Sequence, residues 1–489
     1  MVRPARSASS PICIPACYGL DLDLRWNVYG PPMDTMWDLV VIGSGGAAMA
    51  AGIEARSRGR SVLLVEHGAL GGTCLNVGCV PSKNLLAAAG RRHRASVNPF
   101  PSTPTNAGGV DLQALMAQKQ ELIDRLRQAK YTNVADAHGF PIRTGHARFV
   151  DEQTLQVGGE TVAAAAYVVA TGSTAHTADL PGMGTLDPLT STTAMELPAL
   201  PASMVVLGGG DVGLEQAQLW AHLGVQVTLV GRLAPRAEPE VADVLRAVFA
   251  DDGIAVVEER AVEVEQTAAG TVLVRTDRGT EVSGQRLLVA TGRHANTDSL
   301  GLDAAGVTTN DRGFITVDEH QRTSNPRIYA AGDVSGAPQH VYVAAQTGHV
   351  AAAGALGEPG TVDYRGLPAV TFTNPQLASV GLTEAQALAV GHDCDCRVLR
   401  AGDIPRALVN RDPHGVLKLV VDARTRKILG VHAALDGAGD VILAATYAVK
   451  YGLSVDDVAD TWAPYLTMSE SLRICAGLFR SDKPTSCCA

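Results

Sequence analysis

The sequence predicts an α/β protein with two Rossmann-like units and a separate third domain. Three observations carry this. A strand, glycine loop and helix occur twice. An Ala-Thr-Gly turn behind a strand also occurs twice, at 167–172 and 287–292. From residue 367 strands and helices alternate without a glycine loop, as in 415–421.

In the first unit the apolar strand 37–42 runs into Gly43-Ser44-Gly45-Gly46-Ala47-Ala48 and a helical segment. Gly43 suits the tight turn, Gly45 lets the backbone approach a pyrophosphate, and Ala48 permits close helix packing; the helix N-terminus offers free N–H groups. The strand 61–65 then ends at Glu66, placed to accept from ribose hydroxyls and to repel a 2′-phosphate. The pattern recurs with strand 203–207, Gly208-Gly209-Gly210-Asp211-Val212-Gly213 and strand 227–230. Here the acid's place falls on Gly231, and Arg232 and Arg236 follow, which favours NADPH over NADH because a guanidinium pairs with a 2′-phosphate. Asp333, at a glycine turn after 328–331, is a candidate contact for a flavin ribityl chain or phosphate.

Length and composition fit this organisation. A chain of 489 residues exceeds a single core, and 46% hydrophobic against 4% aromatic residues implies an aliphatic interior. A net charge of −10 argues against a nucleic-acid surface, and no apolar run reaches membrane-spanning length. Nine cysteines are too sparse for a disulfide scaffold, and the start lacks a signal-peptide pattern, so a cytoplasmic setting is expected. Residues 1–36 mix Pro, Ser and Gly without periodicity and read as a disordered extension or a misassigned start, with Met33 or Met36 as alternatives.

Cys74 and Cys79 are separated by four residues in a glycine-bracketed run, at the start of a helical segment continuing through Lys83. The spacing permits a small disulfide loop, and a helix N-terminus lowers a thiol pKa, so one sulfur should be a nucleophilic thiolate when reduced. A second pair, Cys487-Cys488, closes the chain. Cys394 and Cys396, beside His392, match no ligand set, Cys13 and Cys17 match none either, and Cys475 fits a packing position.

With these motifs the chain resembles the pyridine nucleotide-disulfide oxidoreductases over residues 37–489. The resemblance implies FAD in the first unit, NADPH in the second and a C-terminal α+β dimerisation domain. The limits it implies are 37–190 with 297–366 for FAD, 191–296 for NADPH and 367–489 for dimerisation. It implies a Cys74/Cys79 disulfide beside the flavin, with Cys79 toward the isoalloxazine and Cys74 toward substrate. Ala48, Glu66, Gly68, Thr73, Lys83, Ala147, Asp333 and Val341 would contact or flank FAD, and Lys83 and Glu215 would pair where hydride arrives.

Disulfide reductases of this family carry a His-Pro pair before a Thr-x-Ser-Glu run, and that histidine of the partner subunit shuttles a proton. Here Tyr465 precedes Leu466-Thr467-Met468-Ser469-Glu470, and a phenol is a poor shuttle at neutral pH. Two thiolates with a hydride source and no shuttle suit a thiophilic ion, Hg(II), presented as a thiol complex. The chain also resembles the branch of the family that acts on Hg(II). In that branch the tail cysteines serve the active site of the other subunit of a homodimer, and two tyrosines flank the metal, matched by Tyr131 and Tyr465. The first 36 residues contain no GMTCxxC chaperone loop, so delivery would rest on the tail or on cellular thiols. A lipoamide-type or other disulfide reductase and a metal-sequestering protein are the alternative readings.

Overall fold

The computed structural model describes residues 36–481. Cys13, Cys17, Cys487, Cys488 and the proposed extension up to residue 35 lie outside them.

The first glycine loop belongs to a five-stranded parallel sheet, ordered Ile328–Ala330, Ala164–Val169, Trp37–Ile42, Val62–Glu66, Ile142–Thr144. These strands read as continuous aliphatic runs because both faces are covered, and Leu39, Val40, Val41 and Leu64 are fully buried. On one face the helix Gly46–Ser57 packs on the helix Val341–Ala355. That approach requires glycine: a Cβ at Gly348 would lie 2.1 Å from the carbonyl oxygen of Ala47.

The second glycine loop belongs to a four-stranded parallel sheet, ordered Ala255–Val257, Gln226–Val230, Ser203–Leu207, Arg286–Val289. Its helix Asp211–Leu223 is buried on nearly every side because it packs on its own sheet and on the helix Cys79–Ser96. Three-stranded antiparallel sheets flank each unit.

Beyond residue 367 a five-stranded antiparallel sheet runs in the order Pro368–Thr371, Gln376–Gly381, Ile428–Leu435, Val416–Asp422, Cys394–Arg400. The helix Ala438–Tyr451 covers it with Val441, Ile442, Ala445 and Ala448, leaving Leu443, Tyr447 and Tyr451 exposed at four-residue intervals on its outer face. Among the described residues no helix is long and apolar enough to cross a membrane.

Two glycine substitutions should separate close packing from helix propensity. Gly348→Ala should lose about 1–3 kcal/mol through overpacking against backbone. Gly90→Ala, in the helix Cys79–Ser96 with open space around the added carbon, should gain up to about 1 kcal/mol. Thermal unfolding followed by circular dichroism compares them, and equal midpoints would refute the contact assigned to Gly348.

Candidate active site

The cysteines sit on two short pieces of backbone. Cys74 lies in the helix Gly72–Asn76, and Cys79 is the first residue of the helix Cys79–Ser96. Gly78 makes the turn between them, and a Cβ there would meet the carbonyl oxygen of Thr73 at 2.9 Å. Both cysteines are free, Cys74 half-buried and Cys79 exposed, and the two share a hydrogen bond. The shared proton splits their acidities. The hydrogen bond from Cys74 brings Cys79 down to about 7, helped by the charge of Lys83 and opposed by burial. The same bond, with burial, pushes Cys74 up. Near neutral pH the pair therefore holds one negative charge, centred on Cys79.

Lys83 stands one helical turn beyond Cys79. Its Nζ lies 2.6 Å from Oε2 of Glu215 on the helix Asp211–Leu223, and 4.8 Å from the ring centre of Phe372. Glu215 also accepts from the backbone N–H of Phe372 at 2.9 Å. One carboxylate thus joins the cysteine helix, the second nucleotide helix and the start of the C-terminal sheet.

Tyr131 occupies a π-helical turn, Gln128–Thr132, where a wider turn is a common mark of a functional position. Burial raises its phenol pKa, and the charge of Cys74 and Cys79 adds to the effect, so it stays neutral beside the sulfurs. Tyr465 is 56% exposed near Trp462, which is 97% exposed. The single chain presents it outward and gives it no hydrogen bond to the cysteines.

The glycine loops differ in what surrounds each residue. Gly43 and Gly208 both have positive φ and sit against the carbonyl oxygens of Ala170 and Ala290; a Cβ on Gly213 would lie 1.8 Å from the Gly208 oxygen. Gly45 and Gly210 instead cap their helices with no side-chain bond; a Cβ on Gly210 meets nothing within 4 Å, and one on Gly45 only Gly72 at 3.8 Å. Each helix start is therefore open to an approaching phosphate. Ala48 is fully buried beneath the first loop, and Val341 abuts Gly46. Glu66 accepts from the Ser44 hydroxyl at 2.6 Å and from the Gly68 N–H at 2.7 Å. Thr73 lies in the first turn of the Cys74 helix, whereas Ala147 is buried in the flanking sheet Ala147–Phe149. Arg236 is ion-paired with Asp211 and Arg232 lies near Glu258, so both guanidinium groups border the second loop beside carboxylates.

Sequence reasoning passed over Arg293, Ser173 and Phe372. Arg293 donates from Nε to the Ser173 hydroxyl at 2.7 Å, and that hydroxyl donates to Oδ2 of Asp333 at 2.7 Å. Burial lowers the Arg293 pKa against the opposing charge of Asp333 and Cys79. The signal was present, since Ser173 and Arg293 each follow one of the repeated Ala-Thr-Gly turns.

The pyridine nucleotide-disulphide oxidoreductase model matches residues 37–348, and the dimerisation-domain model of the same group matches 367–475. The chain belongs to the pyridine nucleotide-disulphide oxidoreductase family. Within the family it is 49% identical to a mercuric reductase of Streptomyces lividans, covering 93% of this chain and 99% of that protein. It is 43% identical to a mercuric reductase of Staphylococcus aureus, covering 93% and 85%. The Cu(II) complex of the HOCl-induced flavoprotein disulfide reductase RclA from Escherichia coli superimposes with a TM-score of 0.80 at 28% identity, covering 91% of this chain and all of that one.

The charge on Cys79 is testable without substrate. Alkylation of the reduced enzyme by iodoacetamide should rise as pH passes upward through about 7, because the lowered pKa leaves thiolate above that value and thiol below it. Lys83→Met should move the midpoint upward and slow alkylation at pH 7 several-fold, each pKa unit being about tenfold. An unmoved midpoint would remove Lys83 from the account.

Proposed function

We propose that this chain is a mercury(II) reductase that uses NADPH and FAD to convert Hg(II) to volatile Hg(0), and so detoxifies mercury. The observation that carries the reading is the hydrogen-bonded pair Cys74/Cys79, holding one negative charge beside the Lys83–Glu215 ion pair. Two mercuric reductases aligned over 93% of the chain support the substrate.

The open helix starts at Gly45 and Gly210 fit two dinucleotide pyrophosphates. FAD would lie against Gly43, Gly45, Ala48, Glu66, Gly68, Thr73, Lys83, Ala147, Asp333 and Val341, within 37–190 and 297–366. NADPH would lie against Gly208, Gly210, Gly213, Arg232 and Arg236, within 191–296; Arg236 would exchange Asp211 for the 2′-phosphate. When bound, these two groups supply hydride transfer and a two-electron relay.

The chain's own residues handle the ion. Hg(II) meets the Cys79 thiolate first, and binding a second sulfur releases the proton of Cys74, giving a linear bis-thiolate. Lys83 keeps the sulfurs anionic, and the neutral Tyr131 walls the ion without adding charge. Tyr465 of a second copy would complete the wall, which requires the dimer that residues 367–489 are read to form. Cys487 and Cys488 would collect Hg(II) from thiol complexes and pass it inward by ligand exchange. Two electrons reduce the bound ion to Hg(0), which leaves both sulfurs free. No step takes a proton from a shuttle, in keeping with Tyr465 at the shuttle's place.

Purified holoenzyme with NADPH and Hg(II) in excess thiol should release elemental mercury, and Cys79→Ala should abolish release. Equal release from both would sink the proposal, as would vigorous dithiol or disulfide turnover with no Hg(0). Cys487→Ala/Cys488→Ala should lose activity selectively on bulky mercury-thiol complexes, measured as Hg(II)-dependent NADPH oxidation. Equal loss on small and bulky complexes would count against the relay.

A further inference from the structure

We propose that His93, His222 and Asp252 form a binding site for a borderline divalent cation of the zinc class, separate from the cysteine pair. The three come from three helices. His93 lies in the last turn of Cys79–Ser96, His222 in the last turn of Asp211–Leu223, and Asp252 caps the C-terminus of Pro239–Asp251. Nε2 of His93 is 3.1 Å from Oδ1 of Asp252, and Nε2 of His222 is 3.0 Å from Oδ2. One donor atom from each residue falls within 4.8 Å of the others. Ligand atoms around a tetrahedral zinc, with bonds of about 2.0–2.2 Å, stand about 3.3 Å apart. The cluster is therefore already close to the size of a coordination shell.

The imidazole rings are stacked, 3.8 Å between centres and 9° from parallel, so both Nε2 atoms face the same carboxylate. In the empty site each Nε2 donates to Asp252, and ligation requires each ring to carry its proton on Nδ1 instead, leaving Nε2 to the cation. Supporting bonds fix the carboxylate. Gln218 donates to Oδ2 of Asp252 at 2.8 Å and is itself clamped by the backbone of Asn374, at 2.9 Å to its oxygen and 2.6 Å from its N–H.

The donor set contains no sulfur, so it discriminates against soft Hg(II) and leaves the substrate to the thiolates. Two neutral nitrogens and one carboxylate leave a position for water. His93 shares a helix with Lys83, and His222 lies two turns beyond Glu215 on its own. A cation here fastens the far end of the same helix pair that the Lys83–Glu215 bond joins near the cysteines.

The test uses the reduced holoenzyme with its cysteines alkylated. Calorimetric titration with Zn(II) should show one equivalent per chain, and Co(II) should give a spectrum without thiolate charge transfer. His93→Gln should weaken Zn(II) binding by at least about tenfold, with flavin absorbance reporting its folding. In the parent, Zn(II) should slow diethylpyrocarbonate modification of His93, read by mass spectrometry, a measurement that needs no variant. No bound equivalent, equal affinity in His93→Gln, or unslowed modification of His93 would each overturn the site.

Discussion

The ion pair between Lys83 and Glu215 is the contact on which the rest of the site depends. Glu215 has an 8% exposed side chain, so its charge is tolerated only because Lys83 and the Phe372 N–H meet it. Removing Lys83 would strand that carboxylate at a cost of about 1–3 kcal/mol. The same ammonium favours the Cys79 thiolate. One interaction therefore ties the helix Cys79–Ser96 to the helix Asp211–Leu223 and adds to what the Cys74 hydrogen bond does for the Cys79 thiolate.

Electrostatics at the sulfurs follow from proximity more than from surroundings. Burial alone would raise both thiols, and a lone cysteine at this position would be a poor ligand at neutral pH. A second thiol in hydrogen-bonding range reverses this for one of the two. The neighbouring Tyr131 phenol is held up mainly by burial, with the charge of the cysteines adding to it, whereas Cys74 is held up first by its hydrogen bond to Cys79.

Much of this was legible in the sequence because it is local. Both glycine loops, the strands before them and the cysteine helix are short-range patterns, and each appears where the spacing put it. The sharing of work within the loops was legible only in part: Gly45 and Gly210 are open, whereas Gly43, Gly208 and Gly213 press on backbone. What the sequence hid is long-range. The chain from Arg293 through Ser173 to Asp333 joins residues 160 positions apart, and Phe372 acquires a role only when the third domain meets Glu215. The π turn at Tyr131 was hidden for another reason: its composition is that of an ordinary helix. The tail cysteines and the first 35 residues lie outside the described chain, so their reading still rests on the sequence.

The edge strand Ile328–Ala330 pairs with Ala164–Val169, across an insertion that contains the whole second sheet. Strands Ser203–Leu207 to Arg286–Val289 are contiguous in sequence, so that sheet can close as soon as it leaves the ribosome. The first sheet cannot. It must wait with one edge open until about 160 further residues have been made, and loop closure over that span is slow compared with local pairing. Synthesis order therefore lets the second sheet pair completely before the last strand of the first has been made.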